Sequence, residues 1–271
     1  MNSLEHKMVD VLKDLRDNHA VIGVKAEFEA EGTRLEQALR LKEVVMKAGL
    51  GLTIKIGGCE ALRDMYECRS IGVERLVAPM IETAFALKKF ISAALTVFPE
   101  DERSDVRFAA NIETITGCQN FDDMLRLPEA DDLHGIVMGR VDFTGSLGMT
   151  REDIDCQRVF DITKDLFIKS KARGLENALG GGLSAASLPF CRQLTHGTID
   201  RYETRKVIFK CPEALNHQAD KGILKAVGFE LLWLKNKREY YGAISLEDYD
   251  RLKMLENRYK ALIEQEGVRV G

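Results

Sequence analysis

Two carboxylates, Glu113 and Asp142, stand 29 positions apart within one stretch, FAANIETITGCQNFDDMLRLPEADDLHGIVMGRVDFTGSLGM, that runs from residue 108 to residue 149. Each follows a short strand-like run: Glu113 comes directly after 108–112, and Asp142 comes just past Gly139 after 135–138. The amphipathic run 118–127 separates them. Strand, acid, helix, strand, glycine, acid is the length of one βα unit. Parallel neighbours lie roughly 4.8 Å apart. The C-terminal ends of two such strands therefore bring both acids to one mouth. Two carboxylate oxygens there, with water completing the shell, suit Mg²⁺ or Mn²⁺.

Other residues are candidates for the same mouth. Lys55 sits at the end of LTIK, where a lysine is costly unless it reaches solvent or an anion; the bland alternative is a lysine snorkelling on the exterior. Glu27, Glu29 and Glu31 alternate along the run after Val21 and so share one side of an extended chain. They can equally be a solvated turn favouring the next helix N-terminus. Glu82, in a second Ile-Glu-Thr, rivals Glu113 as a ligand but has no Gly-x-x-Asp one unit later. Gly180-Gly181-Gly182 after a strand permits close backbone approach to a ligand, or serves only as a tight turn. His6, His19 and His196 read as surface or loop residues.

The elements that must position these groups are legible from periodicity. Helices are expected over 4–16, 34–47, 59–69, 84–98, 161–172 and 187–194, with Thr33 and Glu36 forming a capping box at the second. Strands are expected over 21–28, 52–56, 75–79, 107–112, 135–138, 176–179 and 204–209. That is seven, where a closed barrel of this kind has eight. Two amphipathic helices, 212–235 and 246–266, follow. The expected fold class is α/β, a sheet or barrel over 1–211 with a helical extension over 212–271 that packs on it or on a neighbouring subunit.

The segment "IET … GIVMGRVDFTGSLG" resembles the metal-binding core of the HpcH/HpaI aldolase and citrate lyase β-chain superfamily, which are phosphoenolpyruvate/pyruvate-type barrels. The resemblance implies a (β/α)8-type TIM barrel, with Glu113 and Asp142 as divalent-metal ligands. It also implies that backbone N–H groups of Gly139, Arg140, Val141 and Asp142 bind a pyruvate-like carboxylate, and that Lys55 stands where the family carries a substrate-binding arginine. The family's Asp-x-Glu-His aligns with Glu27, Glu29 and Ala30, so its proton-transferring histidine is absent. Further departures are Arg140-Val141 in place of Pro-Ala and Phe143 in place of Leu. The resemblance is carried by about 42 residues, 108–149.

Composition agrees with an enzyme of this size. The chain has 271 residues, 45% hydrophobic and 30% charged, and a formal net charge of −4, which gives no general attraction to nucleic acid or acidic membranes. No apolar run is long enough for a membrane span, and the six cysteines form no CxxC pair, so a cytoplasmic location with reduced thiols is expected. Dinucleotide, P-loop and nucleophile-elbow motifs are absent. The expected function is a Mg²⁺- or Mn²⁺-dependent carbon–carbon lyase or aldolase, working on a pyruvate-type 2-oxo acid and an aldehyde through a cation-stabilised enolate. Lys55 would add charge at the oxyanion, Glu29 or a water would move the proton, and the chain would form a homo-oligomer. The alternatives are a Schiff-base aldolase using Lys55, a citrate-lyase-like acyl-CoA lyase, and a barrel subunit without catalysis.

Overall fold

In a computed structural model, which describes residues 1–194 and 197–266, the strands close into one eight-stranded barrel in the order β1 to β8. The elements are α1 (Ser3–His19), β1 (Val21–Glu27), α2 (Leu35–Lys47), β2 (Gly51–Lys55), α3 (Leu62–Ile71), β3 (Arg75–Ala78) and α4 (Ala84–Val97). Then come β4 (Arg107–Asn111), α5 (Ile115–Gln119), α6 (Phe121–Leu125), β5 (Gly135–Gly139), α7 (Arg140–Ser146), α8 (Gln157–Ala172) and β6 (Glu176–Gly180). The chain ends with α9 (Leu188–Gln193), β7 (Arg201–Glu203), β8 (Val207–Lys210) and α10 (Ala219–Glu266).

Strand alternation sorts the side chains. Val24, Ala26, Leu52, Ile54, Leu76, Phe108, Ile136, Leu179 and Phe209 join the large buried cluster shared with the helices. Each such Leu, Ile or Phe contributes about 1.5–3 kcal/mol by leaving water. The opposite set points inward, and there the apolar filling is thin: Val77, Ala109, Val137 and Ala178 form a separate small cluster. One inward step below or above that layer, the side chains are polar, charged or absent. Arg75, Arg107 and Glu176 lie at the N-terminal end, and Lys55 and Asn111 lie at the C-terminal end. The barrel interior is thus a single apolar layer between two polar ones.

The eighth strand lies just ahead of the closing strand expected over 204–209: that run is a turn followed by β8, and β7 (Arg201–Glu203) precedes it. β7 pairs with β6 in parallel, and β8 pairs with β7 and β1 antiparallel. Only Thr204, Arg205 and Lys206 join them, too few for a crossover helix. Thr204 makes the turn itself: its N–H donates to the Val207 carbonyl (3.0 Å), and its hydroxyl oxygen accepts from the Val207 N–H (3.1 Å).

Several other expectations shift. The two C-terminal helices are one 48-residue helix, α10, because nothing in 236–245 stops it. Its first half buries Ile223, Ala226, Phe229 and Trp233, and Gly222 lies against His19 of α1. From Gly242 to Ala261 every residue is exposed. His19, expected at the surface, is buried, and burial pushes its pKa down. At α2 the helix starts at Leu35, so the N-cap is Arg34 rather than Thr33, and Gln37 rather than Glu36 reaches back, its amide oxygen accepting the Arg34 N–H (3.3 Å). His196 lies outside the described residues. No described helix is long and apolar enough to cross a membrane.

Candidate functional site at the C-terminal mouth

Glu113 lies two residues beyond β4 and is 2% exposed. Its carboxylate is held on both oxygens: Oε1 accepts from the Met80 N–H (3.1 Å) and Oε2 from Asn111 Nδ2 (2.8 Å). Met80 reaches it from a left-handed backbone at φ 48°, a region that bulky residues rarely adopt. Gly139 makes room, since a Cβ there would lie 2.4 Å from Oε2 of Glu113. Burial pushes the Glu113 carboxyl above its ordinary range; Lys55, the Met80 amide and Asn111 oppose that, and the negative charge of Asp142 adds to it. Asp142 itself is exposed in the first turn of α7, directly after Gly139. The two acids therefore act on one another over the same end of β4 and β5, one sunk in the barrel and one at its rim.

The duplicated Ile-Glu-Thr resolves by side-chain direction. Thr83 and Thr114 each cap the following helix, through Ala86 N–H (3.1 Å) and Gly117 N–H (3.0 Å). Glu82, however, accepts the Thr114 hydroxyl (2.7 Å), which ties adjacent loops together, while Glu113 enters the mouth.

Lys55 faces inward at the end of β2, and its Nζ lies 2.8 Å from Glu29. Burial alone would lower its pKa; the charges of Glu113, Glu29 and Glu27 outweigh that and hold the ammonium above its ordinary value. Beside it is a second lysine that the sequence reading passed over. Lys25, two positions before Glu27 on the inward side of β1, sits 3.1 Å from Glu203 of β7 and 3.6 Å from Glu27. Its pKa is also raised, burial being outweighed by Glu203 and Glu27. The signal was the same as for Lys55, a lysine on the inner alternation of an apolar strand. Glu31 turns outward to the β7–β8 turn, where it pairs with Arg205 (3.0 Å) and Lys206.

Arg140 is fully buried and points away from the mouth. Its Nε and Nη2 donate to the carbonyls of Gly180 and Gly181 (3.1 Å each), Nη1 pairs with Asp155, and the guanidinium lies 5.1 Å from the Phe190 ring centre. Its side chain is a strut for the glycine turn, so only its backbone N–H remains a candidate for binding. Gly181, at φ 78°, packs against the backbone nitrogens of Arg140 and Val141, where a Cβ would fall 2.4 and 2.6 Å away. This close approach, permitted by glycine, explains the triple-glycine turn.

The oxygen donors suit a hard cation. Glu113 and Asp142 are carboxylates, and the buried amide oxygen of Asn111 has no hydrogen-bond donor. Among the described residues, no group of three or more His, Cys, Asp and Glu side chains encloses a point, so an all-protein cage is not built. One or two carboxylates with water and substrate completing the shell is the Mg²⁺ pattern.

Residues 54–180, from the end of β2 to the end of β6, match the family model of HpcH/HpaI aldolase/citrate lyase. That stretch contains Lys55, Glu113, Gly139 and Asp142; Lys25, Glu27, Glu29 and the β7–β8 hairpin lie outside it. No curated protein matches the sequence. Among solved structures, an HpcH/HpaI aldolase from Desulfitobacterium hafniense DCB-2 superposes with a TM-score of 0.56 at 13% identity, covering 69% of this chain and 78% of that one. An HpcH/HpaI aldolase/citrate lyase family protein from Burkholderia cenocepacia J2315 gives 0.56 at 14%, covering 73% and 90%. Citrate synthase SbnG gives 0.59 at 14%, covering 86% and 90%. The shared fold is the eight-stranded barrel.

Proposed function

We propose that this HpcH/HpaI-like barrel is a carbon–carbon lyase or aldolase acting on a pyruvate-type 2-oxo acid, with Mg²⁺ or Mn²⁺ as cofactor. The observation that carries this reading is the pairing of a buried, doubly hydrogen-bonded Glu113 with a rim carboxylate, Asp142, beside a protonated Lys55. Glu113 and Asp142 would hold the cation, which supplies Lewis-acid polarisation of a bound keto oxygen.

The chain's own residues supply the rest. Met80 N–H and Asn111 fix the Glu113 carboxylate before substrate arrives, so it need not reorganise. Lys55 presents a second positive charge where an enolate oxygen develops. Its raised pKa supports this role over an amine nucleophile, which needs a lowered one. Glu29, paired with Lys55 at 2.8 Å, is the carboxylate proposed to accept a proton from the carbon next to the keto group. Backbone N–H groups at 139–142 are proposed to take the substrate carboxylate, with the aldehyde entering over the loops and the chain working as a homo-oligomer in the cytoplasm.

The test needs no knowledge of the aldehyde. Pyruvate in D₂O with the protein and Mg²⁺ or Mn²⁺ should exchange its methyl protons, followed by proton NMR, and Glu113→Gln and Asp142→Asn should abolish the exchange. Failure of the wild-type chain to exchange with either metal, or exchange that survives both substitutions, would defeat the proposal.

A further inference from the structure

The opposite end of the barrel interior is also polar, and it is hollow. A bowl of about 590 Å³ opens on the N-terminal face. Gly23 and Gly51 line its wall, and the Glu74 carboxylate reaches in from the rim to lie against Gly51. A Cβ on Gly51 would lie 1.8 Å from a Glu74 carboxylate oxygen, and one on Gly135 would lie 2.8 Å from the Glu176 carbonyl oxygen. Glycine at 51 thus makes room for Glu74 at the wall, and glycine at 135 lets β5 pack directly on the β6 backbone.

Arginines line it from the first residues of three strands: Arg75 of β3, Arg107 of β4 and Arg201 of β7. Arg75 and Arg201 form the floor, their side chains 11% and 8% exposed. Both donate an Nη2–H to the same atom, Oε2 of Glu176, Arg75 at 2.6 Å. Two guanidiniums offer ten N–H donors between them, and one shared carboxylate oxygen accepts few of these. The two buried guanidiniums share the half-exposed Glu176 carboxylate, and Glu203 from β7 adds a second negative charge acting on Arg75. Burial and the charge of Arg201 push the Arg75 pKa below its ordinary value, against the opposing charges of Glu176 and Glu203. A strut joining β3, β6 and β7 would need only one arginine. Arg107, Glu74 and Asp105 stand at the exposed rim, and the two acids confine favourable potential for an anion to the floor.

We propose that this bowl binds a compact anion bearing a carboxylate or phosphate group, held by Arg75 and Arg201 and reached past Arg107. It is a second site, separated from the Glu113–Asp142 mouth by Val77, Ala109, Val137 and Ala178 on the β3–β6 side and by Thr53 and the Lys25–Glu203 pair on the other. It does not rest on the proposed reaction. Guanidinium suits such a ligand because its planar fork matches two oxygens at once.

Calorimetric titration of the full chain with inorganic phosphate, and separately with malonate, tests it. Saturable binding near one per chain is expected for at least one anion, and the tighter of the two identifies the phosphate or carboxylate class. Arg201→Met and Arg107→Glu should each weaken it about ten-fold or more, through lost charge-assisted hydrogen bonds and reversed rim charge. Lys55→Met, at the mouth, should leave it unchanged. Circular dichroism checks folding; if Arg201→Met does not fold, the exposed Arg107→Glu decides. The inference is overturned if neither anion saturates below roughly 0.1 M, where screening has cut the Debye length to about 10 Å. It is equally overturned if Arg107→Glu binds as wild type, or if Lys55→Met removes the binding.

Discussion

Replacing Gly139 with alanine perturbs the proposed cation site through one methyl group. The added Cβ would fall 2.4 Å from Glu113 Oε2 and 3.0 Å from Glu113 Cβ. Such contacts settle at roughly 3.3–3.5 Å, so the carboxylate must retreat by close to 1 Å. The Asn111 bond, now 2.8 Å, would then be stretched past hydrogen-bond range. A misplacement of about 1 Å at a reacting centre costs on the order of 10²-fold in rate, or about 2.7 kcal/mol of barrier. Overpacking costs about 1–3 kcal/mol of stability. The pyruvate exchange rate at saturating Mn²⁺ reads the first quantity, and urea denaturation reads the second. A folded Gly139→Ala chain that is destabilised as described yet exchanges within roughly two- to three-fold of wild type, a barrier change of about 0.5 kcal/mol, would refute the placement of Glu113 at the reacting centre.

Arg140→Met should remove about 1–3 kcal/mol of stability in urea denaturation, because the buried Gly180 carbonyl and the half-buried Gly181 carbonyl lose their donor, while Asp155 stays solvated and bonded to Ser187; a loss below about 0.5 kcal/mol would mean that the guanidinium is not the strut described. Glu113→Gln should stabilise the metal-free protein at pH 7. The folded pKa of Glu113 is raised, so its ionisation opposes folding above the ordinary carboxyl value of 4.5, and the advantage of the variant should fade as pH falls below it. Equal denaturation midpoints for the two proteins at pH 7 would contradict this. Lys55→Met should slow pyruvate exchange by about 10²–10³-fold, the usual effect of losing one oxyanion partner, with Lys55→Arg slowed less. Borohydride with pyruvate should leave no adduct on Lys55 by mass spectrometry, and a trapped adduct would restore the Schiff-base reading.

Local periodicity was enough to expose seven barrel strands, since inward and outward positions alternate against a single large core. It could not separate β7 from β8: ETRKVIF contains no glycine or proline, and the turn is closed by the Thr204 hydroxyl, an ordinary strand residue in other settings. It also broke α10 in two, because the polar stretch between its apolar parts looks the same whether it is a loop or a solvated helix turn. At the mouth, Glu113, Asp142 and Lys55 were visible because each directly terminates a strand or follows one. Lys25 with Glu203 was not, since that pair forms across the closure of the barrel, between residues 178 positions apart. The inward reach of the Met80 amide and the outward burial of Arg140 were likewise invisible, being set by backbone and side-chain direction rather than residue type.

The last strand runs against its neighbours, and this has a consequence for how the molecule is made. Until residues 207–210 have left the ribosome, β1 and β7 both present bare amide edges, which invite pairing with another nascent chain. Seven strands can assemble in order as they emerge, yet the ring stays open throughout. A single late fold-back of a few residues seals both edges at once, so a chain cut just before Val207 would be left with two sticky flanks.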